Sequence, residues 1–211
     1  MFTNGVIKVG GRLAGIFTRS GHQLLILLGL LGVSDLATAH PHVFIDYSLQ
    51  ARVQGTQLVQ LEARMVLDPF STTNVMSQFD LNSNNQLDED EKRQVIALLN
   101  ESMEKTHYFF WMLKDDELVP MANIVITDAA VENKAVVYHL LIEPEAPVPL
   151  TSKVELSFLD PENYFDLAPV EKEALQFLGT TPCHYQAIDA MEADKRDLVP
   201  VDWITFSCKD S

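Results

Sequence analysis

A run of twelve residues rich in side-chain oxygen atoms constrains the fold more than any other part of this sequence. It occupies residues 80–91 and reads Asp-Leu-Asn-Ser-Asn-Asn-Gln-Leu-Asp-Glu-Asp-Glu. Oxygen-bearing groups fall at the positions that an EF-hand calcium loop uses for its ligands. The predicted ligands are Asp80, Asn82, Asn84, the backbone carbonyl of Gln86, Asp88 and Glu91. The sequence therefore predicts a helix–loop–helix unit that binds Ca²⁺.

Apolar residues recur at helical spacing on both sides of this loop, which supports the two helices. They are Val75, Met76 and Phe79 before the loop and Val95, Ile96 and Leu99 after it. Two positions depart from the EF-hand pattern: Asn85 stands where glycine is usual, and Lys92 stands where an apolar residue is usual. Asn tolerates the left-handed conformation better than most residues. The alternative is an Asn- and Asp-rich helical turn that binds no metal.

The charge of the chain indicates which partners it attracts. The 211 residues include 15 Lys and Arg against 30 Asp and Glu, for a formal net charge of −15. Such a surface repels nucleic acid and anionic lipid and attracts cations. We therefore expect metal ions as partners and no nucleic acid.

Residues 1–39 have the pattern of a secretory signal peptide. Three basic residues precede the apolar run 24–33, which is shorter than the segment that a helix needs to cross a membrane. Small residues at 37–39 predict cleavage after Ala39. The remaining chain, 40–211, would be periplasmic, with no stable membrane insertion and with 12 basic against 29 acidic residues, a net charge of −17. An uncleaved membrane anchor is the alternative.

The mature chain alternates apolar and other residues at period two, which is typical of half-buried strands. The predicted strands are 42–53, 58–67, 108–113, 118–127, 135–142, 154–158, 183–188 and 203–208. This spacing predicts a mainly β, α+β fold: one immunoglobulin-like antiparallel β-sandwich over residues 40–211. The EF-hand-like helical insertion would occupy residues 68–107, with Asp68 capping its first helix. Residues 169–178 predict a further short helix.

The predicted export of the chain indicates that its two cysteines form a disulfide. Cys183 and Cys208 would reside in a compartment that permits disulfides, and a lone pair in an exported protein usually forms one. Two free thiols or a metal site are the alternatives.

A second candidate site lies at the predicted mature terminus. Cleavage after Ala39 would make His40 the first residue, with His42 two positions on. A terminal amine and two imidazoles can hold Ni²⁺, Co²⁺, Zn²⁺ or Cu²⁺. Pro41 has no N–H, so a square-planar chelate through that amide cannot form and further ligands must come from elsewhere. A solvated terminus that binds nothing is the alternative.

Three segments together resemble the bacterial DUF1007 family. They are the HPHVFID start at residues 40–46, the acidic loop with its preceding Phe at 79–91, and the LDP…YF run at 159–165. The resemblance covers nearly all of residues 40–211. Members are exported proteins with an HPH-type mature terminus, labelled as periplasmic components of an uncharacterised transport system. Their genes are often near nickel/cobalt-type permeases, which implies accessory metal handling beside an inner-membrane metal permease.

These observations favour a non-enzymatic periplasmic metal-binding accessory protein of a nickel-, cobalt- or zinc-type transport system, with a calcium loop. A copper-dependent oxidative enzyme that uses His40 is a second hypothesis. It is weaker because no other catalytic motif, such as Gly-x-Ser-x-Gly or His-Glu-x-x-His, occurs. A structural or adaptor module whose insertion is stiffened by Ca²⁺ is a third hypothesis.

Overall fold

A computed structural model describes residues 42–179, 182–188 and 202–208. These residues form twelve strands and two α-helices. The strands are β1 (Val43–Gln54), β2 (Gln57–Leu67), β3 (Phe110–Lys114), β4 (Glu117–Leu118), β5 (Met121–Glu132), β6 (Ala135–Pro144), β7 (Val148–Pro149), β8 (Val154–Phe158), β9 (Phe165–Pro169), β10 (Leu175–Leu178), β11 (Cys183–Ile188) and β12 (Trp203–Cys208). The helices are α1 (Pro69–Phe79) and α2 (Glu89–Met103), and a 3₁₀ segment, Glu104–Phe109, follows α2.

The strands form two sheets. The larger sheet has the order β10-β1-β2-β6-β5, with β7 paired to β2 and β9 paired to β1. The smaller sheet has the order β11-β12-β8-β3-β4. The long β1–β2 hairpin turns at Gly55, whose φ of +60° is a conformation that glycine adopts without steric cost.

The two sheets pack face to face around one hydrophobic core. The buried side chains of β1 alternate along the strand, as period two requires: Ile45, Tyr47, Leu49, Ala51 and Val53. The Tyr47 ring centroid lies 4.9 Å from that of Phe158 on β8. Phe177 on β10 meets Phe206 on β12 with ring centroids 5.9 Å apart. Because these ring pairs join the larger sheet to the smaller one, the predicted β-sandwich is confirmed.

The β1 edge departs from the antiparallel pattern and corrects one prediction. β9 and β10 pair with β1 in parallel, β9 along its first half and β10 along its second. Residues 169–178 were predicted to be helical, but they contain the end of β9 and all of β10. The backbone groups on the edge of β1 that does not face β2 need hydrogen-bond partners, and β9 and β10 supply them. Between these two strands, the Tyr47 carbonyl accepts the N–H of Val170 at 2.9 Å. Tertiary pairing therefore overrides the local helical signal.

The helical insertion lies between β2 and β3, as the sequence predicts. Asp68 caps α1: its carboxylate accepts the N–H groups of Phe70 and Ser71 at 2.7 and 3.0 Å. Asn100 ties α2 to β5, because its side-chain oxygen accepts the N–H of Ile126 at 2.8 Å and its amide donates to the Ile126 carbonyl at 3.1 Å. The insertion is thus fixed to the sandwich at the helix that follows the acidic loop.

A disulfide joins Cys183 on β11 to Cys208 on β12. The two residues are direct partners in the antiparallel register, so the bridge closes the end of that strand pair. The predicted disulfide is therefore present. Neither helix in the described part of the chain is long and apolar enough to cross a membrane.

Candidate functional site

The acidic loop between α1 and α2 folds around its first carboxylate. Asp80 Oδ1 accepts the N–H of Asn84 at 3.0 Å, and Asp80 Oδ2 accepts the N–H of Asn85 at 2.9 Å. Asn85 has φ of 61°, in the left-handed region that an EF-hand loop normally fills with glycine at this position. Asn85 therefore adopts the backbone conformation that glycine has at this position of an EF-hand loop, and the chain turns at the same point.

Glu91 closes the loop from the first turn of α2. Its Oε1 accepts the N–H of Leu81 at 2.8 Å, and its Oε2 accepts the N–H of Asp88 at 2.8 Å. The side chain is 5% exposed, while the neighbouring Leu87 packs into the hydrophobic core. Loop positions 2 and 9 are thereby both tied to position 12. Each carboxylate oxygen keeps a second lone pair, which is available to a cation.

The two Asn ligands predicted from the sequence face Asp88. The amides of Asn82 and Asn84 donate to the Asp88 carboxylate at 2.7 and 3.3 Å. Their side-chain oxygens accept backbone N–H groups inside the loop, from Asn84 and Gln86 respectively. The structure thus brings Asp80, Asn82, Asn84 and Asp88 into one hydrogen-bonded loop. A cation bound at the centre would replace the contacts between the amides and Asp88.

Carboxylates alone do not form a metal cluster here. Across residues 42–179, 182–188 and 202–208, no group of three or more His, Cys, Asp or Glu side chains is arranged to hold a metal ion. A site in the loop would therefore depend on amide and backbone oxygens as well as on Asp80, Asp88 and Glu91, as calcium loops do. Lys92, which departs from the EF-hand pattern, lies 3.4 Å from Asp128 on β5 and so joins α2 to the sheet.

A protein-family comparison identifies the chain. The family model described as "Protein of unknown function (DUF1007)" matches residues 24–198. The chain belongs to the DUF1007 family. No curated protein matches it.

Solved structures similar to this DUF1007 protein are distant in sequence. An acetylcholine-binding protein type 1 from Biomphalaria glabrata is 12% identical with a TM-score of 0.40, covering 92% of this chain and 100% of that one. An acetylcholine-binding protein from Capitella teleta in complex with lobeline is 11% identical with a TM-score of 0.38, covering 92% and 97%. At these values the likeness carries no inference about a ligand.

Of the HPH motif at residues 40–42 of this DUF1007 chain, the structure describes His42. The His42 N–H donates to the Tyr164 carbonyl at 2.8 Å, and the two rings lie 5.2 Å apart. The imidazole is solvent-exposed. His40 and Pro41 lie outside the described residues. The structure therefore joins His42, the last residue of the HPH motif, to the LDP…YF motif, more than 100 residues away in the sequence.

The LDP…YF motif is organised by a buried carboxylate. Asp160 is 5% exposed, and its oxygens accept backbone N–H groups from Glu162, Tyr164 and Phe165 at 2.9, 2.9 and 3.0 Å. Three N–H donors satisfy the charge of Asp160 inside the protein. This residue therefore shapes the loop that meets His42 and has little freedom to act as a ligand.

A cavity of about 450 Å³, which no sequence motif predicted, lies between this loop and the 3₁₀ segment. Lys105, His107 and Trp111 line one side, and Glu162 and Tyr164 line the other. In the sequence the aromatic-rich run 108–113 indicated only a strand. Glycine and asparagine are the usual sequence signals for a turn, and neither occurs at residues 107–109. The sequence therefore has no motif that marks this wall of the cavity.

Proposed function

We propose that this DUF1007 protein is an exported, non-enzymatic metal-binding accessory protein whose acidic loop takes one Ca²⁺ ion. The observation that carries the calcium part is the fold of residues 80–91: Asp80 accepts the N–H groups of positions 5 and 6, and Glu91 closes the loop from α2. Ca²⁺ prefers six to eight oxygen ligands in such a flexible shell.

The number of carboxylates sets the expected affinity. Asp80, Asp88 and Glu91 supply three carboxylates, and the remaining ligands are neutral oxygens. A single loop of this kind suits a dissociation constant on the order of 10⁻⁴–10⁻³ M, as in extracellular modules. A site of that strength stabilises an exported protein in a calcium-containing compartment and does not act as a cytosolic sensor.

Thermal unfolding tests the calcium site. A ligand that binds only the folded form stabilises it, by about 1.4 kcal/mol at a calcium concentration ten times Kd. We expect Ca²⁺ to raise the unfolding midpoint of the purified protein relative to EDTA. Mg²⁺ should raise it less, because Mg²⁺ demands a smaller octahedral shell and gives up water reluctantly.

Two charge-matched variants make that experiment specific. Glu91→Gln removes the carboxylate that closes the loop, so most of the calcium-dependent shift should disappear. Glu89→Gln removes the same charge from the same helix, at a side chain that is 83% exposed, and should keep the shift. Equal shifts in the two variants would contradict the assignment of Glu91 as a ligand.

The transition-metal part of the proposal rests on the amino-terminal motif. His42 presents an exposed imidazole at the start of β1, and a terminal amine with two imidazoles is a nitrogen set for Ni²⁺, Co²⁺, Zn²⁺ or Cu²⁺. An exposed site with few ligands suits a protein that passes its metal to an inner-membrane permease. Competition binding should show tighter binding to the wild type than to a His40→Ala/His42→Ala variant. Equal binding of all four metals to both proteins would overturn this part.

A further inference from the structure

We propose that the cavity between the 3₁₀ segment and the Asp160–Phe165 loop binds a small zwitterion that carries an apolar group, such as an apolar amino acid or a dipeptide. The cavity encloses about 450 Å³, within the usual range for small-molecule sites. The cavity is separate from the acidic loop at residues 80–91, and no residue of that loop lines it.

The floor of the cavity is aromatic. Phe109 and Phe165 pack with ring centroids 5.2 Å apart, and Phe165 and Tyr164 with centroids 5.1 Å apart. Trp111 and Tyr164 remain 40% and 48% exposed at the opening. Large aromatic side chains left exposed around a concave surface are typical of a ligand site. The apolar group of the ligand would lie against Trp111 and Tyr164.

The two sides of this floor differ in polarity: a basic side chain and an imidazole face an acidic side chain. Lys105 and His107 belong to the 3₁₀ segment, and Glu162 belongs to the opposing loop. None of these three side chains has a hydrogen-bond or ion-pair partner among the residues that the structure describes. A ligand carboxylate would meet Lys105 and His107, and a ligand ammonium would meet Glu162. This separation of charge fits a zwitterion better than an anion or a cation.

Both walls are held in place before any ligand arrives. On one side, His107, Tyr108 and Phe109 have φ of 50°, 55° and 59°, a left-handed run that is costly for residues with bulky side chains. The hydroxyl of Tyr108 donates to the side-chain oxygen of Asn100 at 2.9 Å, which anchors this run to α2. On the other side, Asp160 fixes the loop through its three N–H donors. Backbone strain of this kind concentrates at ligand sites.

Calorimetry and Trp fluorescence test the proposal with L-phenylalanine and L-alanyl-L-phenylalanine as probes. We expect saturable binding of at least one probe and a change in Trp emission that is lost in Trp111→Phe, because the other tryptophan, Trp203, is buried on β12. N-acetyl-L-phenylalaninamide keeps the ring but has neither charge, so it should bind at least tenfold more weakly. The titrations are run in EDTA and in Ca²⁺, so that failure of the calcium site and failure of this cavity are seen separately.

Charge-neutralising variants locate the binding site. Lys105→Met and Glu162→Gln should each weaken binding tenfold or more, whereas the exposed pair Lys172→Met and Glu171→Gln, which do not line the cavity, should leave it unchanged. All four positions are exposed, so thermal melts should confirm that the variants fold. Absence of binding, or equal binding of the neutral analogue, would overturn the proposal. Binding that appears only after deletion of His40 and Pro41 would assign the cavity to the chain's own terminus and would also overturn it.

Discussion

At the scale of single residues, Asn85 decides how well the acidic loop closes. Its φ of 61° costs a residue with a Cβ atom more than it costs glycine. We predict that Asn85→Ala lowers the free energy of unfolding by about 1 kcal/mol, because alanine adopts this conformation less readily than asparagine. Asn85→Gly should be neutral or slightly stabilising and should bind Ca²⁺ more tightly. Urea unfolding followed by helical circular dichroism checks this order, and equal stability of the two variants would contradict it.

Asp68 gives a residue-scale prediction with a pH dependence. Desolvation raises the pKa of this carboxyl, but hydrogen bonds from Ser71, Phe44 and Phe70 together lower it below its usual value. A lowered folded-state pKa contributes stability above the unfolded pKa, about 3.9, and the contribution is lost as the pH falls through the folded value. Asp68→Ala should therefore cost about 1–2 kcal/mol at pH 7, the range of a lost helix cap.

The pH series separates that contribution from a general loss of packing. The stability difference between the wild type and Asp68→Ala should shrink below pH 4, as the wild-type carboxyl becomes protonated. Denaturant unfolding at several pH values measures this difference. A difference that stays constant down to pH 2 would show that the charge of Asp68 has no part in the cap.

At the scale of elements, Asn100 connects α2 to both the sheet and the cavity wall. Its side chain accepts from Ile126 and Tyr108 and donates to the Ile126 carbonyl. Asn100→Ala leaves backbone groups of β5 without these partners, so it should cost roughly 2–4 kcal/mol. Tyr108→Phe removes one of the three bonds and should cost about 1 kcal/mol. Urea midpoints measure both variants, and a larger loss for Tyr108→Phe would reverse the proposed order.

The elements also show what the sequence could predict. Period-two alternation located most strands, including β8, β11 and β12, and Asp68 with Pro69 located the start of α1. Residues 169–178 were predicted to be helical because no local pattern reveals that β9 and β10 will pair with the distant β1. The acidic loop could be recognised in the sequence because all its candidate ligands lie in one short segment. The cavity was not, because its walls are about 50 residues apart and include a left-handed run without glycine.

At the scale of the whole molecule, the disulfide at the end of β11 and β12 constrains the unfolded chain. Cys183 and Cys208 are 25 residues apart, and closing a loop of that length is worth roughly 3–4 kcal/mol in the chain-entropy model. The Cys183→Ser/Cys208→Ser variant should lose about that much stability. Urea unfolding of the oxidised wild type and the variant measures the difference, with reduced wild type as the control. A loss below 1 kcal/mol would show that the bridge does not stabilise the sandwich.

The measurement that tests the central claim most directly is a calcium titration of the isotope-labelled protein followed by amide NMR. The amides of Leu81, Asn84 and Asn85 now donate to Glu91 or Asp80, so a cation bound to those carboxylates must move their signals. We predict saturating shifts confined to residues 80–91 and the adjoining turns, with one Ca²⁺ per chain and with Glu91→Gln abolishing saturation. If these amides remain unchanged at several millimolar Ca²⁺, residues 80–91 form a hydrogen-bonded turn, and the calcium site proposed here does not exist.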